Sequence, residues 1–207
     1  MNAASPVNAQ RVVLASSNAG KLREFGALLA DQAFTLVPQS QFGIAPPPET
    51  GTTFLANALI KARNAARVAG FPAIADDSGI EVDALGGAPG VYSARFAGED
   101  ASDEANLEKL LRALDGLEAA QRGARYRCVI VYVADAEDPS PLIGEGSWAG
   151  TIIDDRRGSN GFGYDPSFVP IGDTRTVAEM PEVEKNGKSH RAQAMAAFLA
   201  RFPGARR

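Results

Sequence analysis

Ala73-Ile74-Ala75-Asp76-Asp77-Ser78-Gly79 runs from a short apolar segment straight into two carboxylates, a hydroxyl and a glycine. Carboxylates at the end of a buried strand are costly to desolvate unless a cation or hydrogen-bond donors meet them. In open α/β sheets the carboxyl ends of strands are also where ligands bind. Residues 73–75 therefore read as a strand that stops at the aspartates, with Ile80-Glu81-Val82 following after a turn. An Asx-type turn needs only one such side chain, so the second carboxylate points to chemistry. If the strand instead continues, the two side chains point to opposite sides. One would then be free for a metal and the other for water or a lysine.

Outward from this stretch, strand-like and helix-like segments alternate. Arg11 to Ala15 reads as a buried strand that turns at Ser16 to Lys21 into a helix carrying Leu22, Phe25, Leu28 and Leu29 at helical spacing. Phe34 to Val37 is a second strand. A Pro46-Pro47-Pro48 loop delivers Glu49 ahead of a helix from Thr53 to Ala69, with Gly70 in the stop position. Ser102 caps a helix with Leu107, Leu110, Leu111 and Leu114 on its core face. Arg125 to Ala134 and Leu142 to Ile153 predict an antiparallel strand pair, Gly158 to Asp165 a glycine-rich loop, and Ser189 the start of a last helix ended by Pro203. The pattern predicts an α/β protein with a mixed sheet. Residues 1–10 are expected to form a flexible leader, and 11–207 one catalytic domain.

Bulk properties narrow the function. A net charge of -4, with 45% apolar and 22% charged residues, speaks against a broad basic surface for nucleic acid. It leaves room for a local cationic cluster that binds a small anion. No apolar run is long enough to span a bilayer, so no membrane partner is expected. Cys128 is the sole cysteine, which excludes an internal disulfide and suggests a reducing, cytoplasmic setting.

Several clusters carry chemistry. Ser16-x-Asn18-x-x-Lys21 sits at a helix start, where backbone N–H groups favour phosphate, although it is not a P-loop. Asn57 and Lys61 are four apart and share a helix face. Gly161-Phe162-Gly163-Tyr164-Asp165-Pro166 combines flexible backbone with two aromatics and a carboxylate, suited to stacking a base and meeting its edge. Lys185-x-x-Lys188-Ser189-His190-Arg191 places four cations at a helix start, where an anion or base would compensate them. Each has an ordinary structural explanation when taken alone. With the aspartate pair, they suggest a divalent metal holding a polyphosphate. Mg²⁺ is the expected ion and Mn²⁺ the alternative, because one cysteine and one histidine cannot build a zinc site.

Taken together, these segments resemble the inosine triphosphate pyrophosphatase family, from Val12 to about Ala200. The resemblance also draws on Glu49-Thr50-Gly51, Phe54-x-x-Asn57-Ala58-x-x-Lys61-Ala62 and Leu85-Gly86-Gly87-Ala88-Pro89-Gly90-Val91-Tyr92-Ser93-Ala94-Arg95. It implies a curved mixed β-sheet flanked by helices in two lobes with a central cleft, and a homodimer. It also implies metal-dependent hydrolysis of deaminated purine nucleoside triphosphates (ITP, dITP, XTP) to the monophosphate and pyrophosphate. By the same resemblance, Ser16, Ser17, Asn18, Ala19, Gly20 and Lys21 form the phosphate-binding turn. Glu49 and Asp77 are the metal ligands, and Asp77 is also the proton acceptor. Ser78, Phe162, Gly163, Tyr164, Asp165, Lys185, His190 and Arg191 contact substrate. Asn57, Lys61 and Asp76 complete the expected set, with Asp76 pairing a lysine. Ser16-Ser17 departs from the more usual Thr-Gly, so a glycine-like backbone at Ser17 would strain the turn. The alternatives are the related septum-type nucleotide pyrophosphatase, which prefers other bases, and a nucleotide-binding regulator without turnover.

Overall fold

The computed structural model describes residues 10–30, 32 and 34–202. Along the chain lie β1 (Gln10–Leu14), α1 (Ala19–Leu28), β2 (Phe34–Pro38), α2 (Phe54–Ala69), β3 (Ala73–Val82) and α3 (Asp103–Ala113). They are followed by β4 (Gly123–Val133), β5 (Leu142–Ile152), β6 (Phe168–Pro170), α4 (Glu182–Lys188) and α5 (His190–Leu199). The strands form one six-stranded sheet in the order β2-β1-β3-β4-β5-β6. β1 is parallel to β2 and β3, and the remaining pairings are antiparallel, which makes the sheet mixed.

β3 does not stop at the aspartates. It runs unbroken through Asp76 and Asp77, which pair with Ile130 and Val129 of β4. The expected turn is absent because the antiparallel ladder with β4 satisfies the backbone of this polar stretch. The other edge of β3 is different. β1 pairs only with Ala73 and Ile74 and then departs toward α1. The aspartates thus sit where one neighbour has left the sheet, the position in an α/β sheet that leaves a crevice.

Strand periodicity sorts the core into layers. Ala73 and Ala75 face α2, whose Ala58, Ala62, Ala65 and Ala66 are small enough to lie close against the sheet. Ile74 faces the opposite way, with Phe25 of α1 and Ala194, Met195 and Phe198 of α5. The far halves of β3, β4 and β5 outrun β1 and carry a third cluster, in which Ile80 and Val82 pack with Leu107, Leu110 and Leu114. Helices therefore cover the sheet in two lobes with the aspartates between them. On β5, a Cβ on Gly146 would lie 2.1 Å from the His190 carbonyl oxygen, so glycine there lets the start of α5 rest on the sheet.

The leader boundary shifts slightly, since Gln10 already belongs to β1 and pairs with Phe34; residues 1–9 lie outside the described residues. Pro203, expected to end the last helix, also lies outside them, and α5 closes at Leu199. Among the described residues no helix is long and apolar enough to cross a membrane.

Candidate functional site

The alternation that layers the core also divides the aspartate pair. Asp77 continues the Ala73–Ala75 face toward α2, where Asn57 Nδ2 donates to its Oδ2 at 3.2 Å and Lys61 Nζ to its Oδ1 at 3.0 Å. Thr53 caps α2 by accepting from the Ala56 N–H, and the four-residue spacing then aims Asn57 and Lys61 at one carboxylate. Lys61 also lies 2.6 Å from Glu49, so one ammonium joins the two expected metal ligands. Glu49 is held from its other side by Arg95, whose guanidinium reaches Oε2 at 3.3 Å.

Asp76 faces α1 and α5. Its Oδ2 meets Lys21 Nζ at 3.0 Å and Arg191 Nη2 at 3.1 Å. Lys21 is thus the close lysine partner of Asp76, an assignment beyond the reach of spacing. The same Arg191 nitrogen donates to Ser78 Oγ at 2.8 Å, and its other terminal nitrogen pairs with Glu24 of α1. Glu24 in turn holds Lys185 at 2.8 Å, and Lys185 also lies 2.8 Å from Asp165. From Asp76 through Arg191, Glu24 and Lys185 to Asp165 this ionic chain is buried, with Arg191 only 1% exposed.

Electrostatics separates the neighbours. Burial pushes Asp76 upward, but Lys21, Arg191 and Lys61 outweigh it and hold the carboxyl well below the usual range. Burial pushes Asp77 upward too, and there Lys61 and Lys21 only partly compensate, so it ends above the usual range. Lys61 itself is raised despite burial, because Asp77, Asp76 and Glu49 all favour its charge. The ammonium is well satisfied, while Asp77 has to share it with Glu49. Asp77 is left as the more basic carboxylate of the pair.

Phe162 lines the same cleft and sits against the first turn of α1, where a Cβ on Gly20 would lie 2.7 Å from its ring. Lys185 Nζ lies 4.7 Å from the Phe162 ring centre. The loop is pinned by Phe162 N–H to Asp165 at 3.0 Å, Gly163 N–H to Asp103 at 2.9 Å and Tyr164 O–H to the Ser93 carbonyl at 2.8 Å. His190 is buried, and burial with Arg191 and Lys185 nearby lowers its pKa well below the usual value, leaving a neutral imidazole. Its Nδ1 has no partner among the described residues.

These groups line one cleft of about 390 Å³. It gathers Ser16, Ser17, Asn18, Lys21, Glu49, Lys61, Asp76, Asp77, Ser78, Phe162 to Asp165, Lys185, His190 and Arg191. Three expected substrate contacts are placed otherwise. Asn57 is fully buried behind Asp77, where it also accepts from the Gly51 N–H at 2.8 Å, so it orients the carboxylate from outside the cleft wall. Ala19 and Gly20 belong to the first turn of α1 and do not line the cleft. Lys185 and Lys188 lie in the last turn of α4, where cations are favoured, instead of at the start of α5. Ser17 avoids the strain considered for it, as no described residue other than glycine has a positive φ.

Sequence reasoning assigned no role to Glu24, Tyr126, Arg95 or Asp103. Glu24 had one signal, its place three residues after Lys21 on a helix that otherwise buries Phe25.

The donor set suits a hard divalent cation. Glu49 and Asp77 converge on one positive charge, and Asp76 buries an Oδ1 with no partner among the described residues. Among the described residues no group of three or more His, Cys, Asp or Glu side chains stands ready to hold a metal. Glu49 and Asp77 alone are a donor set that fits Mg²⁺, which takes one or two carboxylates and completes its shell with water and phosphate.

Comparison with known proteins places the chain among similar folds and sequences. It is 58% identical over 193 residues to a dITP/XTP pyrophosphatase of Methylococcus capsulatus, covering 93% of this chain and 96% of that protein. A protein of the same name from Escherichia coli strain K12 is 51% identical over 190 residues, 92% of this chain and 96% of the other. Among solved structures, a HAM1 protein from Coxiella burnetii superposes with a TM-score of 0.84 at 46% identity, covering 90% of this chain and 95% of that one. The model of the Ham1 family matches residues 12–201, nearly the whole length, and the chain belongs to the Ham1 family.

Proposed function

We propose that this protein hydrolyses deaminated purine nucleoside triphosphates (ITP, dITP and XTP) between the α and β phosphates, giving the monophosphate and pyrophosphate. The observation that carries this reading is the polarity of a single cleft. One end combines Lys21, Lys61, Glu49 and Asp77, and the other presents the Phe162 ring, loop backbone and a neutral imidazole. Relatives at 51–58% identity named dITP/XTP pyrophosphatase support it.

Lys21, in the first turn of α1, and Lys61 are placed to neutralise the phosphate chain, beside the turn of Ser16, Ser17 and Asn18. A Mg²⁺ held by Glu49 and Asp77 would neutralise phosphate charge and lower the pKa of bound water. Asp77 accepts the proton of the attacking water, a role that suits a carboxylate more basic than usual and held in place by Asn57. Asp76 stays ionised as the counter-ion of Lys21 and Arg191.

At the far end, hypoxanthine and xanthine present an oxygen at C6 and a protonated N1, whereas adenine reverses both. A buried edge that donates to O6 and accepts from N1–H leaves groups unpaired with adenine, a mismatch worth roughly 10⁴-fold. A group near C2 that donates to the xanthine oxygen tolerates the hydrogen of hypoxanthine and opposes the amine of guanine. His190 and the 162–164 backbone face this edge, with Arg191 behind them, and Phe162 stacks the base. The reading extends to a cytoplasmic homodimer, for which the lone buried Cys128 and the family resemblance are the support.

Product analysis tests it. With Mg²⁺, pyrophosphate should appear from ITP and XTP far faster than from ATP or GTP. Orthophosphate as the first product would overturn the cleavage site, and turnover on other nucleotides alone would favour the septum-type alternative. No product from any nucleotide would leave a binding protein.

A further inference from the structure

His190 is the only histidine in the chain. Tyr126 of β4 stacks on it face to face, with centroids 4.6 Å apart and planes 10° from parallel. Phe168 meets Tyr126 at 4.7 Å and 63°, so the tyrosine ring is itself held in place. The Tyr126 hydroxyl donates to Asp165 Oδ1 at 2.9 Å. The other oxygen of Asp165 accepts from the Phe162 N–H at 3.0 Å and from Lys185 Nζ at 2.8 Å.

One side chain therefore touches both segments that face the base. Its ring meets the start of α5, and its hydroxyl meets the carboxylate that pins the Phe162 loop. Tyr126 is 7% exposed and lines the cleft, and its hydroxyl is already committed to Asp165. A neutral imidazole offers one donor and one acceptor, and what each nitrogen reaches depends on the direction of the ring. With His190 Nδ1 buried and lacking a partner among the described residues, stacking governs that direction at this atom.

We propose that Tyr126 is a specificity-positioning residue, whose ring aims His190 and whose hydroxyl holds the Asp165-pinned loop, keeping the two halves of the base-reading edge in register. This rests on the function proposed above. Two variants separate the contacts. Tyr126→Phe keeps the ring and removes the hydroxyl, and Tyr126→Leu removes both while leaving an apolar side chain in the core.

The ITP:GTP ratio of kcat/KM should fall by about 10-fold in Tyr126→Phe and on the order of 100-fold in Tyr126→Leu. The change should lie mainly in KM for ITP, with kcat within about 3-fold of wild type, because the phosphate end is untouched. The sole histidine gives a single imidazole spectrum by NMR. Stacking should shift its ring protons upfield in the wild type and in Tyr126→Phe, and the shift should vanish in Tyr126→Leu. An unchanged specificity ratio in Tyr126→Leu, or a wild-type histidine without the upfield shift, would overturn the proposal. A wild type that turns over ITP and GTP equally would defeat the functional reading instead, while the NMR comparison would still decide whether Tyr126 aims His190.

Discussion

The two ends of the cleft use the same ionic groups but hold them differently. At the phosphate end, Lys61 is shared by Glu49 and Asp77, and Glu49 keeps 24% of its side chain exposed. At the base end, Arg191 and Lys185 are locked by Glu24, Asp76 and Asp165, with each side chain at most 6% exposed. A cation shared at an open rim can be handed to an incoming phosphate. A cation buried among fixed carboxylates cannot move without loss, so it serves as framework for the groups that read the base. Asp76 and Asp77 mark the boundary, one carboxylate facing each regime.

The largest way to break this contrast is Arg191→Met. Removing Arg191 from this buried network leaves Glu24 with Lys185 alone and Asp76 with Lys21 alone, away from water, an expected loss of about 3–5 kcal/mol in chemical denaturation. Lys61→Met should destabilise less, because Glu49 is 24% exposed to water and keeps Arg95, while Asp77 keeps Asn57. Equal losses for the two would erase the distinction between framework and rim.

Next comes the aspartate pair. Asp77→Asn should lower kcat by about 10²–10⁴-fold, the usual contribution of a general base. In metal-free buffer the same variant should melt at a higher temperature than wild type, since burial disfavours this charge in the fold. Asp76→Asn should melt lower, since its charge is favoured there. Shifts of the same sign in these adjacent variants would contradict the division.

The acid response is smaller and more gradual. Asp76 and Glu24 are held below the usual carboxylate range, so the unfolded chain takes up their protons first. Their stabilisation is fully present above about pH 5 and declines as the pH falls further. His190, kept neutral in the fold, adds a loss that begins as the pH falls below about 6.5. Denaturation across pH 3–8 should show this upper window disappearing in His190→Gln.

The smallest effects are at the helix caps. Thr53→Ala and Ser189→Ala each remove a side chain that accepts from the backbone of the first turn, a loss of about 1 kcal/mol. Only Ser189→Ala should also disturb base preference, since it caps the helix that begins at His190.

Much of this was legible in the chain. Apolar periodicity marked β1, β2, β4, β5, α1, α2 and α3 to within a few residues, because buried faces follow the periods of 2 and 3.6, while the three-residue β6 carried no signal. Asn57 and Lys61 were paired correctly by helical spacing. The passage of β3 through Asp76-Asp77-Ser78-Gly79 was hidden, because these residues favour turns and only the partner strand β4 makes them a ladder. The seven-residue α4 carried no apolar stripe and contains Gly187, so Lys185 was assigned to the wrong helix end. Glu24 and Tyr126 remained obscure for a shared reason: their partners lie more than 35 residues away in sequence.

The most direct test of the central claim, that turnover belongs to one end of the cleft and choice of base to the other, is calorimetric binding of ITP and GTP to Asp77→Asn with Mg²⁺ present. This variant should release almost no pyrophosphate yet bind ITP in clear preference to GTP. Equal affinity for the two nucleotides, or undiminished pyrophosphate release, would contradict it.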